Sequence, residues 1–218
     1  MKKDLLELLF PPKCPSCGKP TPGDPYGICP DCLAECEGTL FPRGIAIFSD
    51  PRPEYSLSLY KYRPGAPLKM MFAVKNNGSR YAAGFFSDKA ADAIVTCREM
   101  PVCDVITYLP RRASASRLRG CDQSMIISAG ISERTGIPLE KLIKRNASSG
   151  RREQKSLSRE ERRENVRGAF SLAGDVKGKR VLLFDDIVTT GASAAEGTRV
   201  LIEGGAAGVC VICLFSKL

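Results

Sequence analysis

Val181-Leu182-Leu183-Phe184-Asp185-Asp186-Ile187-Val188-Thr189-Thr190-Gly191-Ala192-Ser193 is the stretch that decides the fold. An apolar run of strand length reaches two acids, passes a hydroxyl-rich turn with a glycine, and enters a small-residue segment with helical character, so the pattern predicts strand, ligand loop and helix start. At such a junction the unpaired N–H groups of the loop and of the first helical turn converge, and the helix dipole adds partial positive charge. A phosphate is the natural occupant. Thr189, Thr190 and Ser193 add hydroxyl donors, and Gly191 is expected to let the backbone come close to the ligand. Asp185 and Asp186 need a different partner, and vicinal sugar hydroxyls suit them, directly or through a hydrated Mg²⁺.

Working outward, Asp104-Val105-Ile106-Thr107-Tyr108-Leu109-Pro110-Arg111-Arg112 reads as a second buried strand ending at a proline and two arginines. In doubly wound sheets ligands lie beyond the carboxyl ends of the strands, so Arg111 and Arg112 are expected at the same crevice as the acids, where a guanidinium fork suits pyrophosphate. A helix over about 122–135 returns the chain for the crossover. Tyr55 to Tyr62 alternates like a half-exposed strand, 67–74 and 81–95 read as helices, and Ile45–Phe48 as a short strand. Lys75, in the break between the two helices, is expected as a solvated turn lysine, with a second phosphate contact as the alternative. Cys210 and Cys213 repeat a Cys-x-x-Cys spacing inside a strand, where positions three apart face opposite sides, so this pair is expected in the core.

The front of the chain follows different rules. Cys14-Pro15-Ser16-Cys17 and Cys29-Pro30-Asp31-Cys32 form two knuckles that can close a four-thiolate site, with a disulfide pair or a redox motif as the alternatives. Structural Zn²⁺ on Cys14, Cys17, Cys29 and Cys32 is the expectation, organising roughly forty residues rather than reacting. Cys36 is expected as a spare thiol on the following helix turn, with an alternate metal ligand as the other reading. The first ten residues read as a short amphipathic helix, not a cleaved leader, because Asp4 and Glu7 break the apolar run. A cytoplasmic location without membrane insertion follows. The expected organisation is an N-terminal helix and zinc module over 1–40, a linker over 41–54, and an α/β domain over 55–218 with a doubly wound, mostly parallel sheet.

The 218 residues contain no histidine, which removes imidazole bases, Ser-His and Cys-His nucleophile pairs, and His-ligated metals. Catalysis would rest on acids, other bases or positioning. Between 111 and 167 stand 15 Lys+Arg against 7 Asp+Glu, giving that quarter of the chain +8 of the total +9. A loop at 146–150 and a capping-box helix start at Ser158 lie within it. This segment has three readings: a lid closing over a pyrophosphate, a nucleic-acid patch, or a solvated helix face.

The thirteen positions of 181–193 resemble the 5-phosphoribosyl 1-pyrophosphate (PRPP) signature of type I phosphoribosyltransferases. Arg119-Gly120 with Gln123, Arg145, Gln154-Lys155-Ser156-Leu157, Arg163 to Val166 and Gly168-Ala169-Phe170 narrow the likeness to the ComF family, competence-associated proteins that open with a cysteine-rich zinc finger. The resemblance implies a type I phosphoribosyltransferase fold, with Asp185 and Asp186 on the ribose hydroxyls and Mg²⁺. It also implies PRPP binding through Ile187, Val188, Thr189, Thr190, Gly191, Ala192 and Ser193, and pyrophosphate on Arg111 and Arg112. Two positions depart from the family pattern: Cys121-Asp122 stands where Phe-Asn is expected, and Arg151 where Thr is usual. Thr189 occupies the place of an Asp in enzymes acting on hypoxanthine-type bases, and a neutral hydroxyl is no base near pH 7. The implied function is transfer of phosphoribose to a nitrogen acceptor with release of pyrophosphate. The alternative is a PRPP-responsive accessory of DNA uptake that meets single-stranded DNA through 111–167, alongside competence or DNA-processing proteins.

Overall fold

The computed structural model describes residues 11–47, 49–111, 122–146 and 166–218. The helix expected over the first ten residues, Arg112, and most of the basic segment between 146 and 166 lie outside the described residues.

A five-stranded sheet forms the centre, built from β1 (Arg43–Gly44), β2 (Tyr55–Lys61), β3 (Val105–Tyr108), β6 (Arg180–Val188) and β7 (Gly208–Ser216). Their order is β1-β2-β7-β6-β3, with β2, β7, β6 and β3 mutually parallel and β1 antiparallel at the edge. The far edge of β3 is closed by Pro138 to Glu140, where Ile106 N–H donates to Pro138 O at 2.8 Å and Glu140 N–H to Ile106 O at 2.9 Å. Two short strands, β4 (Ile143–Arg145) and β5 (Phe170–Leu172), pair antiparallel beside it.

Alternation along β6 divides the core. Leu182 and Phe184 join Leu57, Leu59, Ile106, Ile212 and Phe215 on one face, against α2 (Ala66–Asn77), α3 (Arg80–Thr96) and α4 (Gln123–Thr135), and α1 (Pro30–Thr39) adds Cys32 and Cys36 to the same cluster. Val181 and Leu183 join Val105, Val209 and Val211 on the other, against α5 (Ala192–Glu203). Both faces are therefore covered, which is the doubly wound arrangement. Cys210 falls in the first cluster and Cys213 in the second, as two-residue periodicity requires.

Two expectations are corrected. Ser56 and Ser58 of β2 are buried along with Leu57 and Leu59, so β2 is not half-exposed. Serines alternating with leucines mimic a solvent-facing pattern, but β2 lies between β1 and β7 and both its faces are covered. The short strand forms at Arg43–Gly44 rather than from Ile45 onward; Ile45 N–H still donates to Ser56 O at 2.8 Å, and Ile47 drops into the second core cluster.

Candidate functional site

The acids lie inside β6 rather than beyond it. The strand stays paired through them because Asp185 registers with Cys213, Ile187 with Phe215 and Val188 with Ser216 on β7. Lys217 N–H then donates to Val188 O at 3.0 Å and closes the ladder. Only Thr189, Thr190 and Gly191 separate β6 from α5. Thr190 Oγ1 accepts from Ala192 N–H at 3.4 Å, and the first intrahelical bond runs from Ala195 N–H to Gly191 O at 2.8 Å. Helix geometry leaves the Ser193 and Ala194 N–H groups without an intrahelical acceptor.

Gly191 is needed for a reason other than ligand approach. Its φ is 78°, a left-handed conformation that disfavours a side chain, and a Cβ there would meet Ile47 and Leu218 behind the loop at 3.4 and 3.7 Å. The glycine thus lets the loop turn and seat on the second core cluster. Gly197, one turn into α5, lies against Leu109 and Leu183 and keeps the helix close to the sheet.

Residues 185–194 line a cleft of about 530 Å³ together with Tyr62, Phe72, Lys75, Arg111 and Val166. Asp186 is fully engaged: Oδ1 accepts from Ile187 N–H at 2.8 Å, and Oδ2 accepts from the side-chain amide of Gln123. Asp185 Oδ1 accepts from Asp186 N–H at 2.9 Å. Although part of Asp185 faces the cleft, burial holds its carboxyl well above the usual carboxylate range, the neighbouring Asp186 adds to this, and Arg145 opposes it. A divalent cation would offset the charge that burial and proximity oppose in this pair, and Asp185 and Asp186 are the residues that could hold a hydrated Mg²⁺. Cys213, beneath Asp185, is no nucleophile: burial pushes its thiol up to about 12.

Arg111 reaches the cleft as expected, while Arg112 lies outside the described residues. Arg111 N–H donates to Asp122 Oδ2 at 3.2 Å, and Asp122 Oδ1 accepts from Ser124 N–H at 3.1 Å as the N-cap of α4. The Nη1 of Arg111 is buried and has no hydrogen-bond partner among the described residues, so one donor of the fork is left for another group. Lys75 lines the cleft rather than standing in a solvated turn, its Nζ 5.8 Å from the centre of the Phe72 ring. Tyr62, Phe72 and the contact of Gln123 with Asp186 were not anticipated as site features. The family motif holding Gln123 was the one signal pointing to it.

At the other end, the sulfurs of Cys14, Cys17, Cys29 and Cys32 all lie within 4.8 Å of one another, with Cys17 Sγ and Cys29 Sγ at 3.5 Å. Zn–S bonds of about 2.3 Å give a tetrahedron with edges of about 3.8 Å, so these four thiols fit a metal ion such as zinc. Cys36 is excluded from the set, fully buried with its Sγ 3.5 Å from Met70 Sδ. The knuckles pack on the α/β body: Tyr26 meets Phe85 edge-on at 5.6 Å, and its hydroxyl donates to Asp88 of α3.

The model of the phosphoribosyl transferase domain family matches residues 122–218. The chain is 28% identical to the DNA utilization protein YhgH of Salmonella typhi over 194 residues, covering 88% of this chain and 85% of the relative. It is 35% identical to Competence protein F of Haemophilus influenzae over 91 residues, 40% of this chain and 39% of that protein. Among solved structures, glutamine PRPP amidotransferase from B. subtilis aligns with a TM-score of 0.43 and 28% identity over 62% of this chain; the chain spans about a quarter of that enzyme, 26%. With a phosphoribosyl transferase domain match that contains 181–193, a cluster of four thiols in front of it, and relatives named for competence and DNA utilization, the chain is similar to the ComF-type phosphoribosyltransferase-like proteins.

Proposed function

We propose that the cleft binds PRPP and that the protein transfers its phosphoribosyl group to a nitrogen acceptor, releasing pyrophosphate. The observation that carries this reading is the Thr189–Ser193 loop at the N-terminus of α5, directly beyond two acids and sharing the cleft with a guanidinium, one of whose donors has no partner among the described residues. In this assignment Thr189, Thr190, Gly191, Ala192 and Ser193 hold the 5′-phosphate, with Ile187 and Val188 as the floor. Asp185 and Asp186 take the ribose hydroxyls, and Arg111, with Arg112, takes the pyrophosphate. Mg²⁺, when bound, neutralises charge on the departing pyrophosphate. The C1′–O bond breaks with its electron pair going to pyrophosphate, and the lone pair of the acceptor nitrogen forms the C1′–N bond. A proton on that nitrogen leaves with the pyrophosphate. No side chain need react covalently, because positioning and the cations Arg111 and Lys75 stabilise the charge that develops.

Zinc is the ion proposed for the four thiolates, as a structural group. We take 1–40 as the zinc module, 41–54 as the connection and 55–218 as the phosphoribosyltransferase-like domain, working in the cytoplasm. Among the described residues no helix is long and apolar enough to cross a membrane.

A second reading is favoured by the names of the relatives and by the +8 charge between 111 and 167. On it, the protein is a PRPP-responsive accessory that handles single-stranded DNA with other DNA-uptake proteins. Pyrophosphate release from PRPP and Mg²⁺ with a panel of bases and ammonia separates the two. Acceptor-dependent release that Asp185→Asn/Asp186→Asn abolishes supports transfer. No release with any acceptor, alongside salt-sensitive DNA binding that the double variant retains, supports the accessory role.

A further inference from the structure

Strand order gives the cleft two distinct flanks. β6 supplies the loop, Arg111 stands after β3 on one side, and Tyr62 stands after β2 on the other, across β7. Behind Tyr62 lies a second cavity of about 410 Å³, lined by Arg43, Lys61, Tyr62, Ser216, Lys217 and Leu218. Tyr62 is the residue common to both cavities, so the two spaces adjoin at it.

This shelf is fixed to the sheet. Tyr62 N–H donates to Ser216 O at 2.8 Å and Lys217 N–H to Val188 O at 3.0 Å, so the shelf adjoins β6 at the residue before Thr189. With strands spaced about 4.8 Å apart, Tyr62 lies roughly 10 Å from the phosphate loop. The shelf is also electrostatically one-sided. It carries three cationic side chains and no acidic one, and among the described residues Arg43, Lys61 and Lys217 make no ion pair with an Asp or Glu. Arg43 Nη2 donates to Leu218 O at 2.5 Å, and Lys217 Nζ sits 4.4 Å from the centre of the Tyr62 ring. An aromatic wall bordered by ammonium groups suits a flat anion.

The next step rests on reading the cleft as a PRPP site. Displacement at C1′ brings the nucleophile in on the side opposite the leaving group. Pyrophosphate on the Arg111 flank therefore places the acceptor on the Tyr62 flank. We propose that the shelf is the acceptor subsite and that the acceptor is a planar nitrogen heterocycle bearing a carboxylate, its ring against Tyr62 and its carboxylate toward Lys61 and Lys217. Its ring nitrogen forms the C1′–N bond as the C1′–O pair departs on pyrophosphate; an N–H acceptor such as orotate gives that proton to the pyrophosphate, and a pyridine-type acceptor such as nicotinate has none to give and becomes a pyridinium. A carboxylate fits better than a phosphate because the shelf is made of strand ends and offers side-chain cations, without the helix N-terminus that the cleft provides. A heterocycle fits better than a nucleic-acid strand because the cavity has the volume of a small ligand.

Orotate and uracil share a ring and differ by one carboxylate, as nicotinate and nicotinamide differ by acid against amide. Binding of each is to be measured on the full-length protein with Mg²⁺ and ribose 5-phosphate present, alongside separate titrations with PRPP. The expected result is at least tenfold tighter binding of the acid in one or both pairs. Lys61→Ala/Lys217→Ala should erase that preference and leave PRPP affinity within twofold; both lysines are exposed, and melting curves confirm that the variant folds. Equal affinity within both pairs, or a preference that survives in the double variant, overturns the proposal. So does oligothymidylate binding that depends on the two lysines while neither acid binds, which would assign the shelf to nucleic acid. If wild-type protein prefers the acid but does not bind PRPP, the reading of the cleft fails instead and the shelf is a ring-carboxylate site on its own.

Discussion

Gln123 donates its side-chain amide to Oδ2 of Asp186, tying the first turn of α4 to the acid pair on β6. Gln123 is 1% exposed, and its Oε1 has no hydrogen-bond partner among the described residues. Asp122, one residue earlier, caps the same helix and holds the backbone of Arg111. One helix end thus sets the positions of the acids on β6 and of the arginine after β3.

Gln123→Ala should therefore weaken Mg²⁺-dependent PRPP binding by about tenfold to a hundredfold, the range for losing a partner that orients a metal-binding carboxylate. Calorimetry with PRPP at fixed Mg²⁺ measures it. Gln123→Glu should be worse, because it adds a buried negative charge beside Asp186. Unchanged affinity in both variants would make the contact incidental.

Asp185 trades stability for function. Its carboxyl is held above the usual range by burial, so the folded state keeps a proton that the unfolded chain releases, and stability falls as pH rises from the ordinary carboxylate range through the raised folded value. Asp185→Asn should raise Tm by a few degrees at pH 7, and that gain should vanish near pH 4, where the wild-type carboxyl is protonated. Melting curves across pH check this; a variant less stable than wild type at pH 7 would contradict it.

Removal of the metal should loosen more than the knuckles. Cys36 packs on Met70 of α2, Glu35 Oε1 accepts from Ala66 N–H at the start of α2 at 2.9 Å, and α2 carries Phe72 and Lys75 to the cleft. One equivalent of zinc is expected by metal analysis. A strong chelator, or Cys14→Ser, should lower Tm and weaken PRPP binding severalfold. Full retention of PRPP affinity after complete demetallation would uncouple the two ends.

Gly191→Ala should cost about 1–2 kcal/mol, the penalty for holding a side chain in the left-handed region. The cost comes from the backbone alone, since its Cβ would make only ordinary contact with Ile47. PRPP affinity should fall with stability, since the same turn starts α5. Chemical denaturation and calorimetry on the one variant report both.

Much of the frame could be read from the sequence because its signals are local. The run 181–193 carries strand periodicity, a turn and a helix start in adjacent residues, and two-residue alternation alone separated Cys210 from Cys213. The paired knuckles announced the thiol cluster by spacing. What escaped depends on contacts distant in sequence. Tyr62 closes a strand pattern and becomes a cleft wall only because β2 lies beside β7, 155 positions away at the Ser58–Cys213 pair and held again at Ser216. Lys75 stands in the last turn of α2, where the sequence signals a break, and reaches the cleft by the packing of that helix. The serines of β2 mimic an exposed face, which only tertiary burial can override.

The most direct test of the central claim is calorimetric titration of the full-length protein with PRPP, with and without Mg²⁺, in wild type and in Asp185→Asn/Asp186→Asn. The account predicts one site per chain, Mg²⁺-dependent, with affinity reduced at least a hundredfold in the double variant. No binding of PRPP to the wild-type protein, or equal binding by the double variant, would contradict it.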